Sequence, residues 1–188
     1  MANQIDEIDS KLLKACKKGK IKSQEMLYKQ FYAYGMSISL RYAYNRDEAA
    51  EVLNDSFLKV FGSIHKYDDK LSFKAWLRKI IINTAIDYYR KNKKHHELVD
   101  IETTDIELSD YSLIEQFEIE DLQILLNDLP ENYRITFNLY EIEGYNHDEI
   151  AKLLNIAPGT SRSNLTRAKA LLRASFEKHY KHKYAKVV

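Results

Sequence analysis

A chain of 188 residues that is 45% hydrophobic and 30% charged has the composition of one or two globular domains, which excludes wholesale disorder. Its apolar runs are too short to span a membrane, and a single cysteine, Cys16, excludes an internal disulfide and a cysteine-based metal site. Only five glycines and two prolines leave little turn chemistry for β-hairpins, so the predicted fold class is all-α.

The net charge of +1 hides a strong segregation of charge along the chain. The segments 1–95, 96–128 and 129–188 carry formal charges of +8, −11 and +4. Two basic segments separated by an acidic one indicate two modules, each of which can face a polyanion such as nucleic acid. The N-terminus lacks the apolar core of a signal peptide, so the expected location is the cytoplasm.

The first half of the chain predicts three long helices. Apolar residues recur at helical spacing over 23–44 and again over 46–63, and the outer face of the second stretch is acidic and polar. After a loop at 65–72, a third amphipathic helix is predicted over 73–93.

The predicted helix at 73–93 combines aromatic residues with many cations. Its predicted core face consists of Phe73, Leu77, Ile80, Thr84 and Tyr88, and a second stripe consists of Trp76, Asn83, Asp87 and Arg90. Rings beside Lys and Arg suit single-stranded nucleic acid, whose bases stack on the rings while its phosphates meet the cations. An aromatic stripe is more often part of a core, so both interpretations stay open at this point.

The middle of the chain predicts a boundary between two small helical domains. The stretch 95–112 has many carboxylates and no helical period, which predicts an acidic flexible linker. The predicted domains are therefore 1–94 and 113–188, and the second is expected to open with a helix at 113–127.

The second domain predicts a helix-turn-helix. A helix over 131–143 ends at Gly144, and the next begins with Asn146 as its cap and Glu149 three residues on, as in a capping box. After a short connection, Pro158 suits the first position of the last helix. Two helices joined by a tight turn, the second rich in Arg and Lys, are typical of a DNA-binding helix-turn-helix.

The second helix of such a motif places its N-terminal residues against base edges in the major groove. Arg162 and Arg167 can each donate two hydrogen bonds to guanine, and Asn164 can bind adenine through both groups of its amide. Thr160 and Ser163 suit phosphate or base contacts. The alternative interpretation is an ordinary solvated helix surface.

No catalytic motif accompanies these helices. The chain has no G-x-S-x-G, P-loop, zincin or kinase motif and no nucleophile paired with a base, so we do not expect an enzyme. The adjacent residues His95, His96 and Glu97 lack a third ligand nearby, so no metal or other cofactor is expected either.

Three segments, in this order, resemble the extracytoplasmic-function (ECF) sigma factors of bacterial RNA polymerase, within the sigma-70 family. DEAAEVLNDSFLKVF (47–61) is similar to the family's polymerase-clamp-binding segment, and FKAWLRKIIINTAIDYYRK (73–91) is similar to the segment that opens and recognises the −10 element. The stretch 129–173 is similar to the family's second domain, which recognises the −35 element. The resemblance extends from about residue 20 to residue 175.

The resemblance implies a role for each of three groups of residues. The polymerase clamp would contact Glu51, Asn54, Asp55, Phe57 and Lys59, with Phe57 mostly packing. The unpaired −10 strand and the phosphates beside it would contact the 65–72 loop together with Lys74, Trp76, Arg78, Asn83, Arg90 and Lys91. The −35 element would contact Thr160, Arg162, Ser163, Asn164 and Arg167.

Two positions depart from the family's pattern. Relatives often have an apolar residue in place of Ser161 and an arginine in place of Asn164. The first difference predicts looser packing under the recognition helix, and the second leaves the base preference open. The basic tail at 177–188 lies beyond the resemblance and is predicted to be frayed.

The partners that the resemblance implies are core RNA polymerase and promoter DNA, and many relatives are held inactive by a membrane-anchored anti-sigma protein. The free protein is expected to be a monomer, because the sequence shows no heptad seam. The alternative function is a stand-alone helix-turn-helix regulator that does not bind polymerase, and such regulators usually dimerise on a palindrome. A helical adaptor with a coincidentally basic helix is the remaining alternative.

Overall fold

The computed structural model describes the backbone of residues 8–96 and 125–184, with side chains described as far as Lys91 and Lys178. Every regular element in these ranges is helical, which confirms the predicted all-α class. Within the same ranges, none of the helices combines the length and the apolar character that crossing a membrane requires.

The chain divides into two compact units, Met1–Lys91 and Asn92–Val188. Nearly all of the predicted acidic linker and most of the predicted helix at 113–127 lie outside the described residues. Only the last turn of that helix, at 125–127, is described, and it is helical.

The described part of the first unit contains α1 (Ser10–Lys17), α2 (Ile21–Tyr42), α3 (Arg46–Ser63) and α4 (Phe73–His96), the last of which continues past Lys91. The bounds of α2, α3 and α4 confirm the three helices that the sequence predicts. A 3₁₀ turn, Ile64–Lys66, follows α3 and occupies the start of the predicted loop.

Helix α1 is not among the helices predicted from the sequence. Asp9 caps this helix by accepting a hydrogen bond from the backbone N–H of Lys11, and Leu13 and Cys16 are buried. The signal was present as an acidic cap followed by two apolar residues three apart, but eight residues are too few to show a period. Cys16 therefore lies in the core as a small buried side chain.

The core of the first unit lies between α2, α3 and α4. The fully buried side chains include Leu27, Phe31, Ile38, Leu53, Phe57, Leu77, Ile81 and Ile86. On α4 the prediction holds for Phe73, Leu77 and Thr84, whereas Ile80 and Tyr88 are only half-buried. Three isoleucines, Ile80 to Ile82, follow one another on this helix, and a period of 3.6 permits a step of either three or four residues after Leu77. The packing selects the four-residue step at Ile81.

The described part of the second unit contains the helical turn at 125–127, then α5 (Glu131–Phe137), a π-helical turn (Asn138–Ile142) that continues it, α6 (His147–Leu154) and α7 (Pro158–Tyr184). Helix α7 packs against both α5 and α6. One core cluster of the second unit contains Leu126, Leu129, Tyr133, Phe137, Leu165 and Ala168. Because α7 runs on to Tyr184, the predicted frayed tail is instead helical over most of its length.

Candidate nucleic-acid interface

Local backbone chemistry sets the start and the end of α6. Asn146 accepts a hydrogen bond from the N–H of Glu149 at 2.9 Å, and the Glu149 carboxylate accepts one from the N–H of Asn146 at 2.8 Å. This reciprocal pair is the capping box that the sequence predicts. Asn155 then ends α6 in the left-handed region, with φ of 54°, and the chain turns into α7 at Pro158. These local signals produce the helix-turn-helix.

The first two turns of α7 present a polar surface. Thr160, Arg162, Ser163 and Thr166 are exposed. Arg167 is half-buried, and its guanidinium donates a hydrogen bond of 3.1 Å to the hydroxyl of Tyr133 on α5. The exposed residues include the base- and phosphate-binding types predicted for a recognition helix, beside the positive end of the helix dipole.

The structure differs from the sequence prediction at Asn164. This side chain is only 6% exposed because it lies on the inner side of α7, next to the buried Leu165. In this conformation the amide of Asn164 is covered, so the burial does not support the predicted adenine contact, which stays a prediction. Residue 164 is the neighbour of the exposed Ser163 and lies at the boundary between the exposed and the buried face of α7. Only the packing decides on which of these two faces it lies.

Ser161 is fully buried on the inner side of the recognition helix α7, yet its hydroxyl has a partner. A hydrogen bond of 3.0 Å joins Ser161 Oγ to His147 Nδ1 at the start of α6, and the ring of Tyr140 stacks on the imidazole at 4.6 Å. Burial, followed by the charge of Arg162, lowers the pKa of His147. The loose packing predicted at Ser161 is therefore replaced by a hydrogen bond between the two helices of the motif.

In the first unit, aromatic rings connect α4 to the loop before it. Tyr67 is buried and contacts Phe73 at 5.5 Å and Trp76 at 5.0 Å between ring centroids, and Phe73 in turn contacts Phe31 at 4.9 Å. Trp76 is half-buried, so one part of its ring joins this cluster and another part stays accessible. Phe73 therefore lies in the core and Trp76 at its edge, and the predicted stacking of bases on Trp76 stays a prediction.

The cations and amides predicted for the −10 contact lie along one helix. Asn83, Arg90 and Lys91 are exposed on α4, whereas Lys74 and Arg78 are half-buried. The ammonium of Lys74 lies over the ring of Tyr34 at 5.4 Å. The six single residues of this predicted group therefore lie on α4, directly after the predicted 65–72 loop.

The residues predicted to bind polymerase lie on α3. Glu51, Asn54, Asp55 and Lys59 are exposed, and Lys59 forms an ion pair of 3.0 Å with Asp87 on α4. Asn54 accepts a hydrogen bond of 2.9 Å from the hydroxyl of Tyr28 on α2.

Phe57 is 2% exposed and contacts Tyr28 and Phe61 through its ring. A buried ring cannot bind a partner directly, so its contribution to this face is the packing already expected of it.

The sequence reasoning missed Leu58 on the same face. This leucine is 70% exposed and lies one turn after Asn54 and Asp55, off the apolar stripe of α3. A single exposed leucine is common on protein surfaces, so the sequence alone gave no strong signal for it. Leu58 gives the polar face an apolar centre.

Each of the two units matches a known protein family. Residues 27–95 match the Sigma-70 region 2 family, and residues 119–172 match the Sigma-70, region 4 family. The first match contains the exposed face of α3 and all predicted −10 residues, and the second contains the helix-turn-helix.

Individual relatives extend the match over most of the chain. The chain is 31% identical over 132 residues to the ECF RNA polymerase sigma factor SigM of Bacillus subtilis, covering 69% of this chain and 80% of that protein. It is 25% identical over 184 residues to the ECF RNA polymerase sigma-E factor of Haemophilus influenzae, covering 92% and 96%.

Among solved structures, the chain resembles the sigma factor RpoE of Bartonella quintana in complex with the anti-sigma factor NepR, at 21% identity and a TM-score of 0.48. That alignment covers 84% of this chain and 98% of the other. With a region 2 unit, a region 4 unit and relatives matched over most of their length, the chain belongs to the ECF sigma factors of RNA polymerase.

Proposed function

We propose that this chain binds core RNA polymerase in the cytoplasm, directs it to promoters with a −10 and a −35 element, and assists melting, while the polymerase alone performs catalysis. The observation that carries this proposal is the presence, in one chain, of the exposed polar face of α3 and the exposed start of α7, in units that match sigma-70 regions 2 and 4. An initiation factor needs both a polymerase-binding face and a DNA-binding face. An enzyme needs neither.

The proposed −35 contact uses the exposed start of α7. Arg162 is placed to donate to base edges, and Thr160 and Ser163 to bind phosphates or bases beside it. Arg167 is half-buried, and its bond to Tyr133 holds the guanidinium in one place, which suits a directional contact. Asn164 is left out of this set because it is buried.

The proposed −10 contact uses α4 and the loop before it. Trp76 offers a ring for stacking, and Asn83 offers an amide for the edge of an unpaired base. The cations of this group, Lys74, Arg78, Arg90 and Lys91, neutralise the phosphates on either side. Binding an unpaired base offsets the few kcal/mol that unstacking costs, so melting proceeds by capture.

The proposed polymerase contact is the outer face of α3. Glu51, Asn54, Asp55 and Lys59 supply its polar groups, and Leu58 supplies exposed apolar area at its centre. Interfaces of this kind combine a desolvated apolar anchor with a polar rim. An anti-sigma protein is a further proposed partner on family grounds alone.

Reconstitution with core polymerase tests the proposal. We expect promoter-dependent transcription from the wild-type chain, and an Asp55→Arg variant should bind core polymerase at least about tenfold more weakly, because it reverses a charge in the contact. Binding of the free variant to −35 DNA should stay unchanged. The matched control is Glu25→Arg, which reverses an exposed charge on α2, outside the 47–61 segment.

The outcomes separate the candidate functions. If the Asp55→Arg variant transcribes normally, the assignment of the α3 face is wrong. Binding of the wild-type chain to a palindrome as a dimer, with no transcription from the reconstituted mixture, would favour the stand-alone regulator. Absence of both activities would favour an adaptor.

A further inference from the structure

Lys17 at the end of α1 contacts the loop before α4 in three ways. Its ammonium donates a hydrogen bond of 2.6 Å to the carboxylate of Asp69 and one of 3.2 Å to the backbone carbonyl of Tyr67. The same nitrogen lies 5.9 Å from the centroid of the Tyr67 ring. Lys17 and this loop are about fifty residues apart in the chain, so the contacts are tertiary.

The loop that Lys17 contacts is folded on itself. The hydroxyl of Tyr67 donates to the carbonyl of Leu71, and the N–H of Leu71 donates to the carbonyl of Asp68 at 3.0 Å. Ser72 Oγ then accepts from the N–H of Ala75 at 3.4 Å, at the start of α4. These bonds give the loop a defined shape, with the side chain of Leu71 61% exposed at its tip.

The loop and Trp76 share one aromatic contact. The Tyr67 ring lies between the Lys17 ammonium and the Trp76 ring, which it meets at 5.0 Å. Because Tyr67 is buried, a change in its position must be passed on to its neighbours. Lys17 is thus connected to Trp76 through the ring of Tyr67 and to the loop through Asp69.

We propose that Lys17 is a positioning residue that holds the 67–72 loop and Trp76 in the arrangement that receives an unpaired −10 base. This inference rests on the proposed function, in which the loop and Trp76 take that base. Lys17 itself does not contact DNA in this proposal. Its side chain is 27% exposed and its charge is directed at Asp69.

The experiment measures base discrimination at the −10 element by the full chain bound to core polymerase. One −10 base is replaced by each of the other three, and the rate of open-complex formation is followed with 2-aminopurine beside it. We expect Lys17→Ala to reduce discrimination about three- to tenfold, the size expected for loss of a half-exposed ion pair and one hydrogen bond. Lys17→Arg, which keeps a charge and several donors, should retain most of the discrimination.

Two controls separate positioning from a general loss of structure. Lys14→Ala removes an exposed lysine from the same helix and should behave as wild type. Affinity for core polymerase and binding to a −35 fragment should be equal in all variants. If Lys17→Ala does not fold, Asp69→Asn removes the same charge pair from the exposed loop and should lower discrimination in its place.

A Trp76→Ala variant makes failure of the inference distinguishable from failure of the proposed function. Loss of melting in Trp76→Ala together with loss of discrimination in Lys17→Ala supports the inference. Normal discrimination in Lys17→Ala, or an equal loss of polymerase and −35 binding, overturns the inference and leaves the proposed function standing. Normal melting by Trp76→Ala overturns the proposed −10 assignment, and the inference with it.

Discussion

Ser161 and His147 hold the two helices of the DNA-binding motif together through one hydrogen bond. The bond of 3.0 Å joins a fully buried hydroxyl on α7 to a half-buried imidazole at the start of α6. A buried hydroxyl without a partner costs about 1–3 kcal/mol, so serine at this position requires a partner such as His147. The orientation of the recognition helix thus depends on the hydrogen bond between Ser161 and His147. An apolar residue at position 161 would need no such bond.

This pair predicts a pH-dependent stability of the second unit. Burial and then Arg162 lower the pKa of His147 below its ordinary value of 6.5, with Lys169 adding to the effect and Asp148 opposing it. Below pH 6.5 the unfolded chain binds a proton that the folded chain resists until the lowered pKa is reached. The contribution of His147 to the free energy of unfolding is therefore fully present above pH 6.5. It is lost as the pH falls from 6.5 to the lowered pKa of the folded chain.

We expect His147→Ala to lower the free energy of unfolding of the second unit by about 1–2 kcal/mol at pH 7.5, because Ser161 loses its partner. The difference from wild type should shrink at pH 5.5, where the histidine already costs the wild-type chain stability. Hydrogen exchange of the α6 and α7 amides measures both values. His65→Ala, which removes an exposed imidazole from the first unit, is the control, and an unchanged difference at the two pH values would contradict the prediction.

At the scale of elements, the close approach of α2 and α3 depends on Gly35. A Cβ added there would lie 2.4 Å from Leu53 Cδ1 and 3.4 Å from Ile81 Cδ1, and Leu53 is fully buried. The leucine cannot turn towards solvent to make room. Gly35 is therefore required by packing, although its backbone has ordinary helical geometry.

We expect Gly35→Ala to destabilise the first unit by about 1–2 kcal/mol, since overpacking costs about 1–3 kcal/mol and the gain in helix propensity returns less than about 1 kcal/mol. Gly62→Ala is the matched control, because nothing lies within 4 Å of its added Cβ on α3. That variant should be stabilised by up to about 1 kcal/mol. Thermal unfolding followed by Trp76 fluorescence measures both, and equal effects of the two substitutions would show that the contact with Leu53 does not limit the packing.

At the scale of the whole molecule, two modest DNA-binding surfaces belong to one chain. Each proposed surface offers a few cations and a few directional groups, which predicts weak and salt-sensitive binding by the free protein. Attachment of both units to one polymerase makes the second contact intramolecular and raises its effective concentration. Specificity for a two-element promoter then belongs to the complex.

We expect the chain bound to core polymerase to prefer a two-element promoter over one with a scrambled −35 element by about a hundredfold. The free chain should show a much smaller preference, and its affinity should fall steeply between about 50 and 200 mM salt. Fluorescence anisotropy with labelled promoter fragments measures both ratios. An equal preference in the free chain would mean that polymerase is not needed to join the two contacts.

The sequence by itself determined the features that depend on near neighbours in the chain. The bounds of α3, the capping box at Asn146 and Glu149, and the start of α7 at Pro158 follow from side chains acting on backbone a few residues away. The charge segregation and the three ordered segments were also enough to recognise the family. Local rules are sufficient here because capping and helical periodicity act within one or two turns.

Only the tertiary structure decided which side chains meet across the chain. It buried Asn164, paired Ser161 with His147, exposed Leu58 and brought Lys17 of α1 against the loop before α4. Periodicity assigns a residue to a face of its helix but does not say how much of that face a neighbouring helix buries. It also contains no information on contacts between distant segments of the chain. The reason is physical: burial and hydrogen bonding are set by the packing of whole helices, to which each residue contributes only a part.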